Sequence, residues 1–366
     1  MSTPAAGTGL ADINPERPAG TSVPWPDAGR QQVFEQWLAT LAAYRLDPHS
    51  LRLASADASF RRYLRIDAAD ASLIVMDAPP PQEDVRPFVH VAGLIAQAGL
   101  NAPHVLAQDA DNGFLLLSDL GTRPYLAALQ EAIAAGLSAQ ADELMRVAFS
   151  ALVTWQQRVD PASLPPYDDA LLRRELALFP EWCVGREHGI TWTAAQQAQW
   201  QGLCDSLVQS ALAQPRVAVH RDFMPRNLMV SNPSPGILDF QDAVYGAITY
   251  DAASMLRDAF ISWDEEQELD WAVRYWQQAR RVGLPLDADF GEFWRQLEWM
   301  GLQRHLKVLG IFCRLKHRDG KPAYSQDLPR FFRYARRVAG RYKDLRLLLG
   351  LLGEIEGTTP VVGTTF

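Results

Sequence analysis

Apolar residues recur at helical spacing over 32–44, where Val33, Trp37, Leu38, Leu41 and Tyr44 form one stripe. A helix is expected there. The pattern then changes to short runs. Segments 51–54 and 60–66 flank a turn-forming stretch at 55–59, and 73–76 is a compact apolar run. Pro79, Pro80 and Pro81 end this strand-rich stretch, because three successive prolines cannot donate to a ladder. A helix over 85–99 and a strand pair ending at 114–117 follow. The resulting β-β-β-α-β-β order suits a small antiparallel sheet carrying one helix.

Helical periodicity dominates from Tyr125 onward, through 138–159, 171–188, 194–213 and 265–281. The exception is 216–239, where short strands alternate with loops. A mixed first part, 30–120, and a mostly helical second part, 121–366, therefore meet near Asp119, Leu120 and Gly121. Residues 1–29 are rich in Pro, Gly, Ala and Thr, carry no apolar period, and read as a flexible tail.

Composition narrows the class. The 366 residues are 48% hydrophobic and 21% charged, as in globular proteins, and long enough for two packed units. A net charge of -8 argues against nucleic acid and anionic membrane as partners, since both demand a basic face. No run reaches the ~18 apolar residues of a membrane span, and no secretory signal pattern opens the chain. Cys183, Cys204 and Cys313 are widely spaced and form neither a metal pair nor a disulfide framework. A cytoplasmic protein is expected.

The chemistry sits in 216–239. His220, Arg221 and Asp222, followed by Asn227, reproduce the kinase catalytic-loop pattern H-R-D-x-x-x-x-N. The apolar run Val217, Ala218 and Val219 precedes it, and Leu238, Asp239 and Phe240 end a following strand. A hairpin between the two motifs would bring Asp239 alongside the loop. Phosphoryl transfer needs a held nucleophile and neutralised phosphate charge more than covalent help. In that scheme Asp222 accepts the proton of the acceptor hydroxyl. Asn227 and Asp239 supply an amide and a carboxylate oxygen to Mg2+ bound with ATP. The expected fold is α+β: a two-lobed, protein-kinase-like architecture, with a small antiparallel sheet lobe for nucleotide and a larger, mostly helical lobe for catalysis and substrate.

At these residues the chain resembles the aminoglycoside phosphotransferase and choline kinase branch of the kinase-like fold, which carries H-x-D-x-x-x-x-N and an [I/L]-D-[F/W] metal motif. The likeness continues through Gln241, Asp242, Gly246 and Thr249 to Asp258. Within that branch the chain looks most like the anomeric kinases of N-acetylmuramate and N-acetylglucosamine, which act in bacterial cell-wall recycling. The segments carrying this include Phe60 to Tyr63, Val75 to Pro80, Phe114 to Gly121, Leu178 to Trp182 and Gly301 to Gly310. The resemblance implies a small-molecule amino sugar as substrate and the sugar 1-phosphate as product. It also implies that Asp251 braces the catalytic loop beside His220, without touching substrate.

The chain departs from the kinase pattern in its first lobe. The third strand, 73–76, has no Lys, and the following helix has no Glu, so the usual phosphate-clamping pair is missing. Arg61 or Arg62 is the expected substitute, with backbone amides around Ser59 in the glycine-free turn. Adenine is expected against the backbone of Ser118 and Leu120, and Asp119 is read first as a helix cap. For the sugar, Glu175 and Trp182 would share one face of a helix over 171–188, as carboxylate and stacking ring; core packing and a surface ion pair are the competing reading. Lys307, Arg314, Lys316 and Arg318 form a basic stretch that could meet an acidic sugar such as muramate, and are read first as a solvated helix face. Glu265, Glu266, Glu268 and Asp270 keep open a cationic acceptor, such as an aminoglycoside, choline or homoserine. A nucleotide-binding pseudokinase is the remaining alternative.

Overall fold

A computed structural model describes residues 23–56 and 60–357. The chain divides into two compact units. One comprises Met1–Asp84 and Leu106–Asp119; the other comprises Val85–Val105 and Leu120–Phe366.

In the first unit, helix α1 (Ala28–Thr40) starts at Asp27, whose side chain accepts from the Arg30 amide at 2.8 Å. That is an ordinary N-cap, relieving one unpaired donor of the first turn. The sheet contains β1 (Asp47–Ala56), β2 (Arg62–Asp67), β3 (Ser72–Asp77), β4 (Val105–Asp109) and β5 (Phe114–Ser118), in the order β1-β2-β3-β5-β4. The pairs β1–β2, β2–β3 and β3–β5 are antiparallel, with Leu64 opposite Val75 and Val75 opposite Leu116. Alternation in β2 buries Leu64 and Ile66 on one face. Phe34 and Trp37 of α1 close that face: Trp37 stacks on Phe114 at 5.3 Å, and Phe34 meets Phe114 edge-on at 5.6 Å. The turn into β5 requires Gly113, at φ +71°, where a Cβ would stand 1.9 Å from the Ala78 carbonyl oxygen.

The helix expected on this sheet, α2 (Arg86–Gln97), groups with the second unit. Its Phe88 packs on Phe240 at 4.6 Å, so its apolar face is anchored beside the metal-motif strand. The second unit continues through α3 (Tyr125–Ala134), α4 (Ser138–Arg158), α5 (Asp169–Leu176), a π-helix (Phe179–Glu187) and α6 (Ala194–Ala213). Two small antiparallel ladders follow: β6 (Arg216–Val219) with β9 (Val244–Ala247), and β7 (Leu228–Met229) with β8 (Gly236–Ile237). Helices α7 (Tyr250–Leu256), α8 (Glu265–Arg281), α9 (Phe290–His317), α10 (Leu328–Arg341) and α11 (Leu347–Ile355) complete it.

The single helix expected over 171–188 is two elements. Pro180 cannot donate its share of an α-helical ladder, and the chain widens there into π turns. Gly310 of α9 lies against this junction, where a Cβ would stand 2.4 Å from the Leu178 carbonyl carbon. Helix α9 is buried continuously from Leu297 to Gly310, which makes it the axis of the unit. Among the described residues, no helix is long and apolar enough to cross a membrane. Residues 1–22 of the expected tail, and Ser59 with the turn around it, lie outside the described residues.

Candidate active site

Strand β6 delivers its chain directly into His220, and its pairing with β9 fixes that exit, with Val219 opposite Val244. Phe223 is buried and anchors the loop from below. A single turn of 3₁₀-helix, Pro225–Asn227, then returns the chain to β7. The β7–β8 ladder places Leu228 opposite Ile237, and the Leu238 amide donates to the Asn227 carbonyl at 2.9 Å, so the next residue, Asp239, comes beside Asn227. The Asn227 Nδ2 donates to the Asp222 carbonyl at 3.0 Å and to Asp239 Oδ2 at 3.3 Å. One amide thus ties together all three residues singled out from the sequence. Its nitrogen is spent on these two bonds.

Two side chains in this loop accept unusual backbone. Arg221 has φ +77° and Asp239 φ +61°, the left-handed region where non-glycine residues pay a steric cost. Such strain persists only where surrounding contacts over-determine it. For Arg221 those contacts are visible. Asp251 of α7 accepts from the His220 amide at 2.7 Å and from the Arg221 amide at 2.9 Å, holding both peptide groups with one carboxylate. Burial pushes the Asp251 carboxyl up to about 7, against the pull of those same two amides. His220 is equally buried, and its Nδ1 accepts from the Asp222 amide at 3.2 Å. Burial pushes its imidazole down to about 4, so it remains neutral and acts as a fixed acceptor. Asp239 is steadied by Gln241, whose Nε2 donates to Oδ1 at 2.9 Å.

Glu175 stands elsewhere than a sugar-facing surface. It is 5% exposed and buried among cations: it pairs with Arg221, and with Lys307 Nζ at 3.0 Å. The Tyr167 hydroxyl donates to it as well, and Gln303 Nε2 does so at 3.3 Å. Burial alone would raise its pKa, but Lys307 and Arg221 hold the carboxyl down at about 2. Glu175 therefore supports the catalytic loop through Arg221. Trp182 lies half-buried in the π-helix, and the change of helical pitch at Pro180 removes the common face expected for the pair. Lys307, expected on a solvated face, is 8% exposed and donates to the Tyr250 hydroxyl at 3.1 Å. Sequence reasoning missed Gln241, Lys307 and Gln303 as parts of this assembly. The segment 301–310 gives little signal of this, because Gln303, Arg304, His305 and Lys307 interrupt its apolar residues.

In the first unit, the two arginine candidates separate by face. Arg62 shares the α1 side with Leu64 and Ile66, and its Nε donates to Asp77 Oδ2 at 3.0 Å. Arg30 of α1 donates to the other oxygen of that buried carboxylate at 2.5 and 3.0 Å. Arg62 is thereby engaged in fixing α1 on the sheet. Arg61 points to the opposite face and pairs with Glu83 at 2.8 Å, both side chains largely covered. Helix α2 does lack a Glu; the acidic partner stands in the turn before it. Asp119 is no helix cap. Its carboxylate accepts from Arg65 at 2.5 and 3.0 Å and from Ser72 at 2.7 Å, and α3 is preceded by Pro124 instead. Ser118 ends β5 opposite Leu73, and Leu120 begins the longer segment of the second unit.

Donor chemistry fits a magnesium ion. Asp239 and Asn227 offer one anionic and one neutral hard oxygen, and Mg2+ bound with nucleotide usually takes only one or two protein ligands beside phosphates and water. Among the described residues no group of three or more His, Cys, Asp or Glu could enclose a metal without such help.

Comparison with known proteins places this geometry. The sequence profile of the phosphotransferase enzyme family matches residues 50–290. The chain is 53% identical over 307 residues to the N-acetylmuramate/N-acetylglucosamine kinase of Pseudomonas putida, covering 84% of this chain and 88% of the relative. It is 47% identical over 340 residues to the protein of the same name in Neisseria meningitidis, covering 92% and 99%. The ADP-bound aminoglycoside phosphotransferase APH(2'')-Ib shares the fold, with a TM-score of 0.55 at 12% identity over 85% of this chain and 99% of that one.

Proposed function

The chain belongs to the phosphotransferase enzyme family, and we propose that it transfers the γ-phosphoryl group of ATP to the anomeric hydroxyl of N-acetylmuramate and N-acetylglucosamine. The bond formed is between the sugar O1 and the γ-phosphorus. The bond broken is the β,γ-bridge of ATP, with ADP as leaving group. The hydroxyl proton passes to Asp222. An anomeric hydroxyl is more acidic than an ordinary alcohol, so a carboxylate base suffices and proton transfer can be late. Asn227 and Asp239 would hold magnesium, which supplies charge neutralisation to the phosphates when bound. The observation that carries the proposal is the Asn227 side-chain amide, which donates to the Asp222 backbone carbonyl and to the Asp239 carboxylate and so draws the proposed base and metal ligand together.

Arg61 is assigned to the phosphates, with Glu83 orienting its guanidinium, and adenine to the backbone of Ser118 and Leu120. Such a pair reproduces the electrostatics of the usual Lys–Glu clamp from different positions in the sequence. ATP and an N-acetyl sugar as co-substrates fit a cytoplasmic enzyme with no membrane or nucleic-acid partner.

A cationic acceptor is disfavoured by the fate of the acidic cluster on α8. Glu268 is fully buried and pairs with Arg257 at 3.0 Å and Arg337 at 2.7 Å. Glu265 is paired with Arg341, and Asp270 with Arg274 at 2.5 Å. Glu268 is consumed in the scaffold, and Glu265 and Asp270 are each engaged by an arginine at the surface. ADP release measured with N-acetylmuramate, N-acetylglucosamine, choline and an aminoglycoside separates the readings. Turnover confined to the two amino sugars is expected. Turnover of choline or the aminoglycoside alone, or nucleotide binding without turnover of any acceptor, would overturn the proposal.

A further inference from the structure

Helix α9 meets the catalytic loop at Arg304. This side chain is 3% exposed, and its Nη2 reaches the Met224 Sδ at 3.6 Å. Its Nη1 is buried without a hydrogen-bond partner, and among the described residues no carboxylate oxygen lies within ion-pair reach of it. Asp251 and Asp258 feel its charge across a longer gap, and Asp258 Oδ2 is likewise buried without a partner. The other buried arginines of this unit are treated differently. Arg257 meets Glu268 and Glu298 at 3.0 and 2.9 Å, and Arg221 meets Glu175.

A guanidinium out of water is expensive unless its donors are used, and a thioether is a poor acceptor for them. The Met224–Arg304 contact is therefore a weak one for a buried cation. Met224 is half-buried, unbranched and adaptable, so it can yield its place by rotation. It also lies two residues beyond Asp222 in the chain. A sugar held with its hydroxyl at Asp222, as proposed above, would be the molecule placed to displace it.

We propose that Arg304 receives the lactyl carboxylate of N-acetylmuramate, and that Met224 covers Arg304 when the neutral N-acetylglucosamine is bound. This rests on the amino-sugar kinase reading and deepens it. One site then serves an anionic and a neutral sugar: the first replaces a sulfur contact with a charge-assisted one, and the second leaves it in place.

The test compares kcat/KM for the two sugars in the full-length wild type, Arg304→Gln and Arg304→Lys. A charged hydrogen-bonded contact predicts that Arg304→Gln lowers the muramate-to-glucosamine ratio by about 10- to 100-fold. Arg304→Lys, which keeps the charge but loses the fork, recovers part of that ratio. Equal losses on both sugars would mean that Arg304 serves only to balance Asp251 and Asp258, and would overturn the inference. A measurement on the wild type avoids any folding defect. N-acetylmuramate carrying a neutral lactyl amide should have a KM at least about tenfold higher than the acid; an equal KM would overturn the inference. Wild type that turns over neither sugar would instead defeat the underlying reading.

Discussion

Replacing Glu175 with Gln keeps the shape of the side chain and removes its charge from between Arg221 and Lys307. Glu175 is 5% exposed, with Lys307 Nζ at 3.0 Å and Arg221 in direct contact, so two buried cations lose their counter-charge together. Breaking a buried ion pair from one side costs roughly 3–5 kcal/mol, because the remaining charge stays out of water. Proton linkage gives a similar figure. The carboxyl falls from 4.5 to about 2 on folding, and each unit is about 1.4 kcal/mol, so its ionisation contributes about 3 kcal/mol. Because the folded value is the lower one, that contribution is complete above pH 4.5 and is lost as pH falls from there toward 2.

Thermal and urea unfolding of Glu175→Gln at neutral pH should therefore show a loss of roughly 3 kcal/mol, about 4 °C in melting temperature for a chain of 366 residues. The variant should also lose part of the wild type's acid sensitivity below pH 4.5. Turnover should fall, since Arg221 carries the backbone into Asp222 at φ +77°. Adding Lys307→Met to Glu175→Gln removes one of the two stranded charges and should restore part of the stability. A melting temperature within about 1 °C of wild type for the single variant would refute the reasoning, as it would mean that the pair contributes little net stability.

Asp222→Asn should lower kcat by about 10²- to 10⁴-fold while leaving ATP binding intact, checked by single-turnover kinetics and nucleotide titration. Asp239→Asn should abolish turnover at any magnesium concentration, since the loop and its metal carry much of the phosphate positioning; activity restored by high magnesium would contradict this. Arg61 and Arg62 should behave oppositely. Arg61→Ala raises the KM for ATP with little change in melting temperature, whereas Arg62→Ala strands the buried Asp77 with one remaining partner and costs about 1–3 kcal/mol of stability. His220 stays neutral when folded, with its pKa down from 6.5 to about 4, so the unfolded chain binds the extra proton. Stability should therefore fall as pH drops from 6.5 toward 4, by about 3 kcal/mol from this residue, and His220→Asn should flatten the urea-midpoint profile in that window.

The meeting of Asp222, Asn227 and Asp239 was legible in the sequence because the segments that carry them lie close together in the chain. The loop from His220 to Asn227 and the strand ending at Asp239 fall at a spacing that one short hairpin converts into contact, and that conversion needs no knowledge of the rest of the fold. The brace from Asp251 was legible only through a family motif, since nothing in its local pattern says which amides it meets. The arginines show where local reading ends. Strand alternation correctly separates Arg61 from Arg62, but only the placement of α1, with Arg30 on the same carboxylate, shows that Arg62 is spent on Asp77. Helix α9 hid Arg304 and Lys307 for a related reason. Charged residues on a long helix usually face water, and their burial here follows from packing by the π-helix, α6, α7 and α10 on several sides. The π-helix itself leaves no periodic trace beyond Pro180.

The account turns on the anomeric oxygen attacking the γ-phosphorus under Asp222. N-acetylmuramate labelled with ¹⁸O at the anomeric position, incubated with Mg-ATP and the enzyme, tests this directly by phosphorus NMR of the product. Retention of the label as the bridging atom is predicted, seen as an isotope-shifted phosphorus signal split by the anomeric proton. A product phosphorus bonded at another hydroxyl, or one that has lost the label, would contradict the account.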